Sequence, residues 1–245
     1  MTSSAFNISQ FRHVVVLTGA GVSVASGLST FRDESGNVLP SMPNDWLWAS
    51  DARNLPASLD RVWAIYGVLR GLASTVEPNA AHKGLARWQQ VLEESGGTFT
   101  LVTQNVDELH QKAGSRHVLE LHGSLLRSRC TNESCPNAAP FRDERPFSSA
   151  PPCDKCGSGL RPDIVLFGEP LEGEVIGSAG LASIRADLFV ALGTSATVAP
   201  ASDLARVARR NGALTVFVNP TPHLPENFDL HIQERAEDAV AKWLS

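Results

Sequence analysis

Short runs of β-branched and other apolar residues recur along the chain, and each ends in small or polar residues. They lie directly after Phe11 (HVVVLT) and at residues 98–105, 187–195 and 214–222. Helix-compatible segments lie between or after them, at residues 59–75, 201–212 and 234–245. Strands that alternate with helices predict a parallel sheet covered on both faces. We therefore expect an α/β fold.

Two regions interrupt this alternation. Residues 34–59 carry three prolines and two tryptophans, and they begin a helical insertion that spans about 34–80. Residues 128–160 are rich in Cys, Pro, Ser, Asn and charge, with neither a strand nor a helix period. Such a segment needs something other than an apolar core to stabilise it. We expect a main domain from residues 1–127 and 161–245, with a small module inserted at 128–160.

Composition narrows the function classes. The 245 residues are 42% apolar, enough for a sizeable core, and 21 basic against 26 acidic residues give 21 − 26 = −5. This balance disfavours nucleic-acid binding. No apolar stretch approaches the roughly 20 residues that cross a bilayer, and no basic segment followed by an apolar run begins the chain. We expect a cytoplasmic monomer with neither nucleic-acid nor membrane partners.

Four cysteines form two close pairs, Cys130-x4-Cys135 and Cys153-x2-Cys156, separated by 17 residues. Two such pairs are typical of a tetrahedral zinc site, although four reduced cysteines packed in a core remain the alternative. Four sulfur ligands leave no position for water or substrate. We therefore expect a structural zinc ion that stabilises the inserted module.

The first strand is followed by GAGVSVASG (19–27). Its third glycine falls later than in a dehydrogenase fingerprint, and no acidic residue closes a second strand about twenty residues on. Small residues here would let backbone amides approach a pyrophosphate at the start of a helix. A tight turn that packs a helix on a strand is the alternative.

Further segments, together with this loop and the cysteines, resemble the sirtuin (Sir2) family of NAD-dependent protein deacylases, with its compact bacterial members most similar. They occur in family order across nearly the whole chain: GAGVSVASGLSTFRD (19–33), TQNVDELHQKAG (103–114), LHG (121–123), RPDIVLFGE (161–169), GTSATVAP (193–200) and VNPTP (218–222).

The resemblance implies a Rossmann-like NAD domain, a small zinc domain, and an acyl-lysine peptide bound between them. It implies that NAD, as co-substrate, contacts residues at several positions along the chain: Gly19, Ala20, Gly21, Ser23, Gly27, Phe31, Arg32, Gln104, Asn105, Asp107, Gly193, Thr194, Ser195, Asn219 and Ala236.

The resemblance also implies the catalytic residues His122, Asn105 and Asp107. The acyl oxygen attacks the ribose carbon as nicotinamide leaves, and His122 then acts as general base on the ribose hydroxyls. Asn105 and Asp107 orient nicotinamide and ribose. The expected products are nicotinamide, O-acyl-ADP-ribose and free lysine. His110, in the same motif, is expected to serve helix packing.

RPDIVLFGE resembles the segment against which the family's peptide substrate lies as an extended strand. The expected peptide contacts are Val165, Phe167, Gly168 and Glu169, with Val198 opposite. Ordinary core positions are the alternative for Val165 and Phe167.

The segment DRVWAIYGVLRG (60–71) bears on which acyl group the protein removes. Family members that remove succinyl or malonyl groups carry Tyr-x-x-Arg here; Tyr66 aligns, but Leu69 occupies the arginine position and Arg70 follows it. Residues three and four apart share a helix face, so Arg70 could still reach a carboxylate. We expect succinyl-lysine to be accepted alongside acetyl-lysine, with a solvated Arg70 as the alternative.

Other functions stay open at this point. An acetyl-only deacetylase needs no cation near the acyl group. An NAD hydrolase or ADP-ribosyltransferase would pass the ribosyl group to water or a protein side chain, but it needs no peptide segment such as RPDIVLFGE. A non-catalytic NAD-binding scaffold would not need His122, Asn105 and Asp107 together.

Overall fold

The computed structural model describes residues 7–30, 43–196, 199 and 201–244. Its strands are β1 (His13–Thr18), β2 (Thr98–Thr103), β3 (Leu119–Glu120), β4 (Gly123–Cys130), β5 (Phe141–Arg142), β6 (Leu160–Ile164), β7 (Leu188–Leu192), β8 (Leu214–Val218) and β9 (Leu230–Ile232). Its helices are α1 (Trp46–Ala49), α2 (Leu55–Thr75), α3 (Ala80–Glu94), α4 (Leu109–Lys112), α5 (Gly173–Arg185), α6 (Ala201–Arg210) and α7 (Ala236–Trp243).

The main sheet is parallel, with the strand order β3-β2-β1-β7-β8-β9. With β4–β6 set aside, this is the doubly wound order in which the chain reverses direction across the sheet between β1 and β7. The expected α/β, Rossmann-like architecture is confirmed. The four predicted strands are present, and β3 and β9 extend the sheet at its two edges.

Alternate residues of the buried strands pack against helices on opposite faces. Val14 and Val16 of β1 belong to a core completed by α3 and α7, where Trp88 and Trp243 meet edge to face. Val15 and Leu17 belong to the opposite core, which α5 and α6 complete. Burial on both faces explains why these strands read as continuous apolar runs.

A second, antiparallel sheet has the order β5-β4-β6. The expectation that residues 128–160 contain no strand is wrong at β5 and at the end of β4. The signal is weak because β5 has only two residues and β4 mixes apolar and charged positions. The domain division at residue 128 stays a prediction, and β4 runs across it.

The helical insertion packs on this small sheet. The predicted helix at 59–75 is confirmed as part of α2, which begins earlier, at Leu55, with Pro56 in its first turn. Trp63 Nε1 donates to the Leu160 carbonyl at 2.6 Å, which joins α2 to β6.

Across the described ranges, no helix combines the length and apolar content needed to span a membrane.

Candidate active site

A cavity of about 1400 Å³ opens at the carboxyl edge of the main sheet. Its walls include residues 19–21 after β1, residues 193–195 after β7, and residues 164–171, which begin at the last residue of β6. Ligands of open α/β sheets bind at this edge, where the strand order reverses. The fold therefore places the cavity where small-molecule chemistry is expected.

The glycine loop packs directly on the loop after β7. Gly21 N donates to the Gly193 carbonyl at 2.8 Å, and Gly19 N donates to the Leu192 carbonyl at 3.3 Å. A Cβ on Gly21 would lie 2.7 Å from the Gly193 oxygen, and one on Gly19 would lie 2.7 Å from Thr194 Cβ. The loop continues as a 3₁₀ helix to residue 26, which Gly27 ends at φ +94°. Close backbone approach therefore requires glycine at 19 and 21.

A buried polar cluster lies beneath this loop. Asn105 Nδ2 donates to the Gly19 carbonyl at 3.1 Å and to Ser23 Oγ at 3.2 Å. Ser23 Oγ donates to Asp107 Oδ2 at 2.7 Å, and Leu109 N donates to Asp107 Oδ1 at 3.0 Å. Burial raises the pKa of Asp107, while these two hydrogen bonds oppose the rise. Both Asp107 oxygens thus hold the cluster together.

His122 lines the cavity with one fixed tautomer. Its Nδ1 lies 2.9 Å from the Gln104 carbonyl oxygen, which can only accept, so Nδ1 carries the proton and Nε2 keeps its lone pair. Burial lowers the pKa of His122, and the hydrogen bond to Gln104 partly opposes this. A neutral imidazole with a basic Nε2 can accept a proton near neutral pH.

Residues 165–169 form the wall beside His122. Val165 N donates to the His122 carbonyl at 3.0 Å, and Phe167 pairs through both backbone groups with residues 50 and 52. Glu169 accepts from Arg161 at 2.5 and 3.0 Å and from Leu166 N at 2.8 Å. Although burial raises the pKa of Glu169, these hydrogen bonds hold it below its usual value. The Glu169 carboxylate therefore shapes this wall.

The opposite part of this wall comes from the helical insertion. The Tyr66 hydroxyl lies 2.9 Å from Ser50 Oγ and accepts from Trp46 Nε1 at 3.2 Å. Trp46 meets the half-exposed Phe167 edge to face, with ring centroids 5.6 Å apart. Burial raises the pKa of Tyr66, so its hydroxyl stays neutral. The wall here is apolar apart from the neutral hydroxyls of Tyr66 and Ser50.

Arg70 does not accompany Tyr66 into the cavity, which corrects the expectation from the sequence. Its guanidinium is fully buried and donates to the Arg127 carbonyl at 2.8 Å and the Arg145 carbonyl at 3.3 Å. It also stacks on Trp63, 4.6 Å from the ring centroid. Four residues make about one helical turn, so Arg70 lies one turn beyond Tyr66, where α2 packs on β4 and the guanidinium is enclosed beneath the small sheet.

The structure brings most of the other predicted site residues together around the cavity: Gly19, Ala20, Gly21, Gln104, Asn105, His122, Val165, Phe167, Gly168, Glu169, Gly193, Thr194, Ser195, Asn219 and Ala236. Ser23 and Asp107 lie behind Asn105, and Gly27 ends the glycine loop. Phe31, Arg32 and Val198 lie outside the described residues.

Sequence reasoning gave no role to several residues that line the cavity. Trp46 and Val106 are found near Tyr66 and Asn105, while His223 and Arg235 line the end near Asn219. His223 follows β8, and Arg235 precedes α7. Because the carboxyl ends of parallel strands share one edge, their positions were open to prediction, but no local pattern marks them.

The four cysteines meet at one point of the small module. All four sulfurs lie within 4.8 Å of one another, with Cys130–Cys156 at 3.5 Å and Cys135–Cys153 at 3.8 Å. Sulfurs at the corners of a tetrahedron around zinc, at a Zn–S distance of about 2.3 Å, lie about 3.8 Å apart. The donor set therefore fits a tetrahedral zinc ion.

Comparison with known proteins agrees with this geometry. The Sir2 family matches residues 19–200 of this chain. The NAD-dependent protein deacylase of Aeropyrum pernix is 42% identical over 220 residues, covering 90% of this chain and 86% of that protein. The NAD-dependent protein deacylase of Mycobacterium tuberculosis is 40% identical over 230 residues, covering 93% and 94%.

Solved structures give the same result. A Sir2 homologue in complex with NAD superposes with a TM-score of 0.83 at 35% identity, covering 97% of this chain and 90% of that one. A Sir2 complex with a p53 peptide and NAD⁺ has a TM-score of 0.78 at 31% identity, covering 95% and 92%. Since the family match runs from residue 19 to 200 and the relatives align along about nine-tenths of the chain, this chain belongs to the Sir2 family.

Proposed function

We propose that this protein removes acyl groups from protein lysines with NAD as co-substrate and with consumption of one water, releasing nicotinamide, O-acyl-ADP-ribose and free lysine. The observation that carries the proposal is one cavity lined by the glycine loop, by His122 and by residues 165–169. A dinucleotide and an acyl-lysine could therefore meet beside one basic imidazole nitrogen. The relatives named as NAD-dependent protein deacylases support this assignment.

The residues at the sheet edge fit NAD. The Ala20 backbone amide and the Thr194 and Ser195 hydroxyls suit a diphosphate, and Asn219 and Ala236 lie farther along the cavity for the adenosine half. NAD supplies a ribose carbon with nicotinamide as its leaving group. Asn105, fixed by Gly19 and Ser23, is placed to orient that group.

His122 acts as the general base. The Gln104 carbonyl fixes Nδ1–H, so Nε2 takes a proton from a ribose hydroxyl once the acyl oxygen has bonded to the ribose carbon. Asp107 accepts a hydrogen bond from Ser23, which in turn accepts one from Asn105, so Asp107 positions Asn105 indirectly.

The peptide lies extended against residues 165–169. The backbone of Phe167 is already paired with residues 50 and 52, and Val165 N with His122, so added main-chain hydrogen bonds fall to the Val165 carbonyl and to Gly168. The half-exposed Phe167 ring packs on the lysine stem. Val198 is the proposed contact on the other side of the peptide.

Neutral acyl groups are the substrates that this wall suits. Tyr66 is neutral and bonded to Ser50 and Trp46, and the Arg70 guanidinium is bound to backbone carbonyls elsewhere. A succinyl carboxylate would lose its water near apolar side chains without a cation from α2. We propose acetyl-lysine over succinyl-lysine.

A single zinc ion is proposed to bind Cys130, Cys135, Cys153 and Cys156 and to stabilise the module, without contact to substrate. Metal analysis of the purified protein should give one zinc per chain. Zinc-free protein with an intact fold would contradict this role.

Mass spectrometry of nicotinamide, O-acyl-ADP-ribose and peptide tests the function. The wild type should form all three products from an acetylated peptide and NAD, and His122→Ala should reduce the rate by about 100-fold or more. His117→Gln, at an exposed position, is the matched control and should keep full activity. Equal nicotinamide release with and without peptide would contradict deacylation and indicate an NAD hydrolase.

A further inference from the structure

Two imidazoles are buried behind the polar cluster, and the proposed chemistry uses neither. His82 in the first turn of α3 is 0% exposed and His110 of α4 is 1% exposed. Their ring centroids lie 4.7 Å apart. Buried polar side chains of this kind need a reason beyond filling space, because burying them costs free energy unless they are hydrogen-bonded.

Hydrogen bonds fix the tautomer of each ring. Asn79 N donates to His82 Nδ1 at 3.3 Å, so the proton of a neutral His82 is on Nε2. Thr18 Oγ1 donates to Thr103 Oγ1 at 2.9 Å, so Thr18 accepts from His110 Nε2, also at 2.9 Å. Burial lowers the pKa of His82 to about 4 and holds the pKa of His110 well below its ordinary value. Both rings are therefore neutral Nε2–H tautomers near neutral pH.

The two remaining nitrogens are complementary. His82 Nε2–H is a donor and His110 Nδ1 is an acceptor, and within the described residues neither has a partner. The two rings are adjacent, so the unpaired donor of one lies beside the unpaired acceptor of the other.

From this pair, hydrogen bonds lead to Asn105 on one side and to the glycine loop on the other. On the His110 side, Thr18 bonds to Thr103, whose Oγ1 accepts from the backbone N–H of Asn105 at 3.1 Å. On the His82 side, Asn79 Nδ2 donates to the Val22 carbonyl at 2.8 Å and to Ser26 Oγ at 3.0 Å. The pair thus lies between the backbone of Asn105 and the glycine loop.

We propose that His110, supported by His82, is a positioning residue that holds Asn105 in its working orientation through Thr18 and Thr103. This inference rests on the proposed function for its kinetic consequence, but the tautomers of the two rings and the hydrogen bonds from His110 to Thr18 and from Thr18 to Thr103 do not depend on it. His110 then has a role beyond the helix packing expected from the sequence.

Two variants of His110 separate hydrogen bonding from packing. Gln can place an amide N–H where Nε2–H lies, whereas Leu fills similar volume without a donor. His110→Leu should lower kcat by about tenfold or more, with KM for the acetylated peptide within about threefold, since a small misplacement of a positioning group lowers the rate. His110→Gln should stay within about threefold of wild type in both constants.

Leu92→Ala is the stability control, because it removes core packing from α3 far from this pair. It should lower Tm without lowering kcat. A His110→Gln variant as slow as His110→Leu, or a His110→Leu variant with wild-type kcat, would overturn the proposal.

Nuclear magnetic resonance gives a readout that needs no activity. Imidazole ¹⁵N shifts at neutral pH should show the Nε2–H tautomer for both His82 and His110. The Asn105 amide proton should shift in His110→Leu and stay in place in Leu92→Ala. If either ring is the Nδ1–H tautomer, the proposal fails even in an active enzyme; inactivity of the wild type with the expected tautomers would count against the proposed function alone.

Discussion

The two ends of the cavity are built in different ways. At the dinucleotide end, residues 19–21 and 193–195 meet through their backbones, with Gly21 N bonded to the Gly193 carbonyl at 2.8 Å. At the acyl end, the side chains of Trp46, Ser50, Tyr66 and Phe167 form the wall. Where two backbones form the wall, the residues must lack side chains. Where side chains form the wall, each helix must be oriented so that the right residues face the cavity. The first requirement is visible as glycine, and the second is not visible in the same way.

Acid should destabilise the dinucleotide end most. Above a pH of about 6.5, His82 is neutral in both the folded and the unfolded chain. Between about 6.5 and about 4, His82 is protonated in the unfolded chain but still neutral in the folded protein, because burial lowers its pKa. The free energy of unfolding should therefore fall by about 3 kcal/mol across this window on account of His82. Urea unfolding at several pH values measures it.

His82→Asn provides the comparison, since Asn keeps an acceptor for the Asn79 N–H but does not titrate. The stability difference between wild type and variant should shrink as the pH is lowered. A difference that is constant from pH 7 to pH 4 would show that the folded protein does not depress the His82 pKa.

Gly21→Ala should damage the dinucleotide end by contact between backbones. The added Cβ would lie 2.7 Å from the Gly193 oxygen, so one of the two loops must move. We expect kcat/KM for NAD to fall by about 100-fold, close to 2.7 kcal/mol. Gly177→Ala is the matched control, because a Cβ there meets nothing within 4 Å. It should leave NAD kinetics unchanged and stabilise α5 by about 0.5–1 kcal/mol.

Arg70→Met tests whether the acyl end contains a cation. Met retains the length and loses the bonds to the Arg127 and Arg145 carbonyls and the contact with Trp63. We expect stability to fall by about 2 kcal/mol. The ratio of kcat/KM for succinylated and acetylated forms of one peptide should not change. Arg87→Met, exposed on α3, should change neither quantity. If the ratio of kcat/KM for the succinylated peptide to that for the acetylated peptide fell about tenfold in Arg70→Met, Arg70 would have to contact the acyl group.

The same contrast explains what the sequence could predict. Gly19 and Gly21 mark a close backbone approach, and paired cysteines mark a metal cage, so both were identified from residue type and spacing. Tyr66 and Arg70 are about one helical turn apart, and only the packing of α2 under the small sheet decides which of them faces the cavity. His223 and Arg235 depend on loops that converge only after the sheet has formed. In the small sheet β5 has only two residues, and charged or polar residues interrupt the apolar ones in β4 and β6, so no period identified these strands.

Tyr66→Phe is the smallest change and tests the polar group at the acyl end. It removes a hydroxyl bonded to Ser50 Oγ at 2.9 Å and to Trp46 Nε1 at 3.2 Å, inside a buried wall. We expect a loss of about 1 kcal/mol, seen as a fall in Tm of about 2–4 °C. Acetyl preference over succinyl should persist, because the hydroxyl is neutral and its hydrogen bonds are made within the wall. Ser50→Ala and the double variant complete a cycle with a coupling energy of about 0.5–1.5 kcal/mol. Zero coupling would mean that the two hydroxyls do not bond in solution. A gain of succinyl activity in Tyr66→Phe would mean that the wall selects acyl groups by size and not by the absence of a cation from α2.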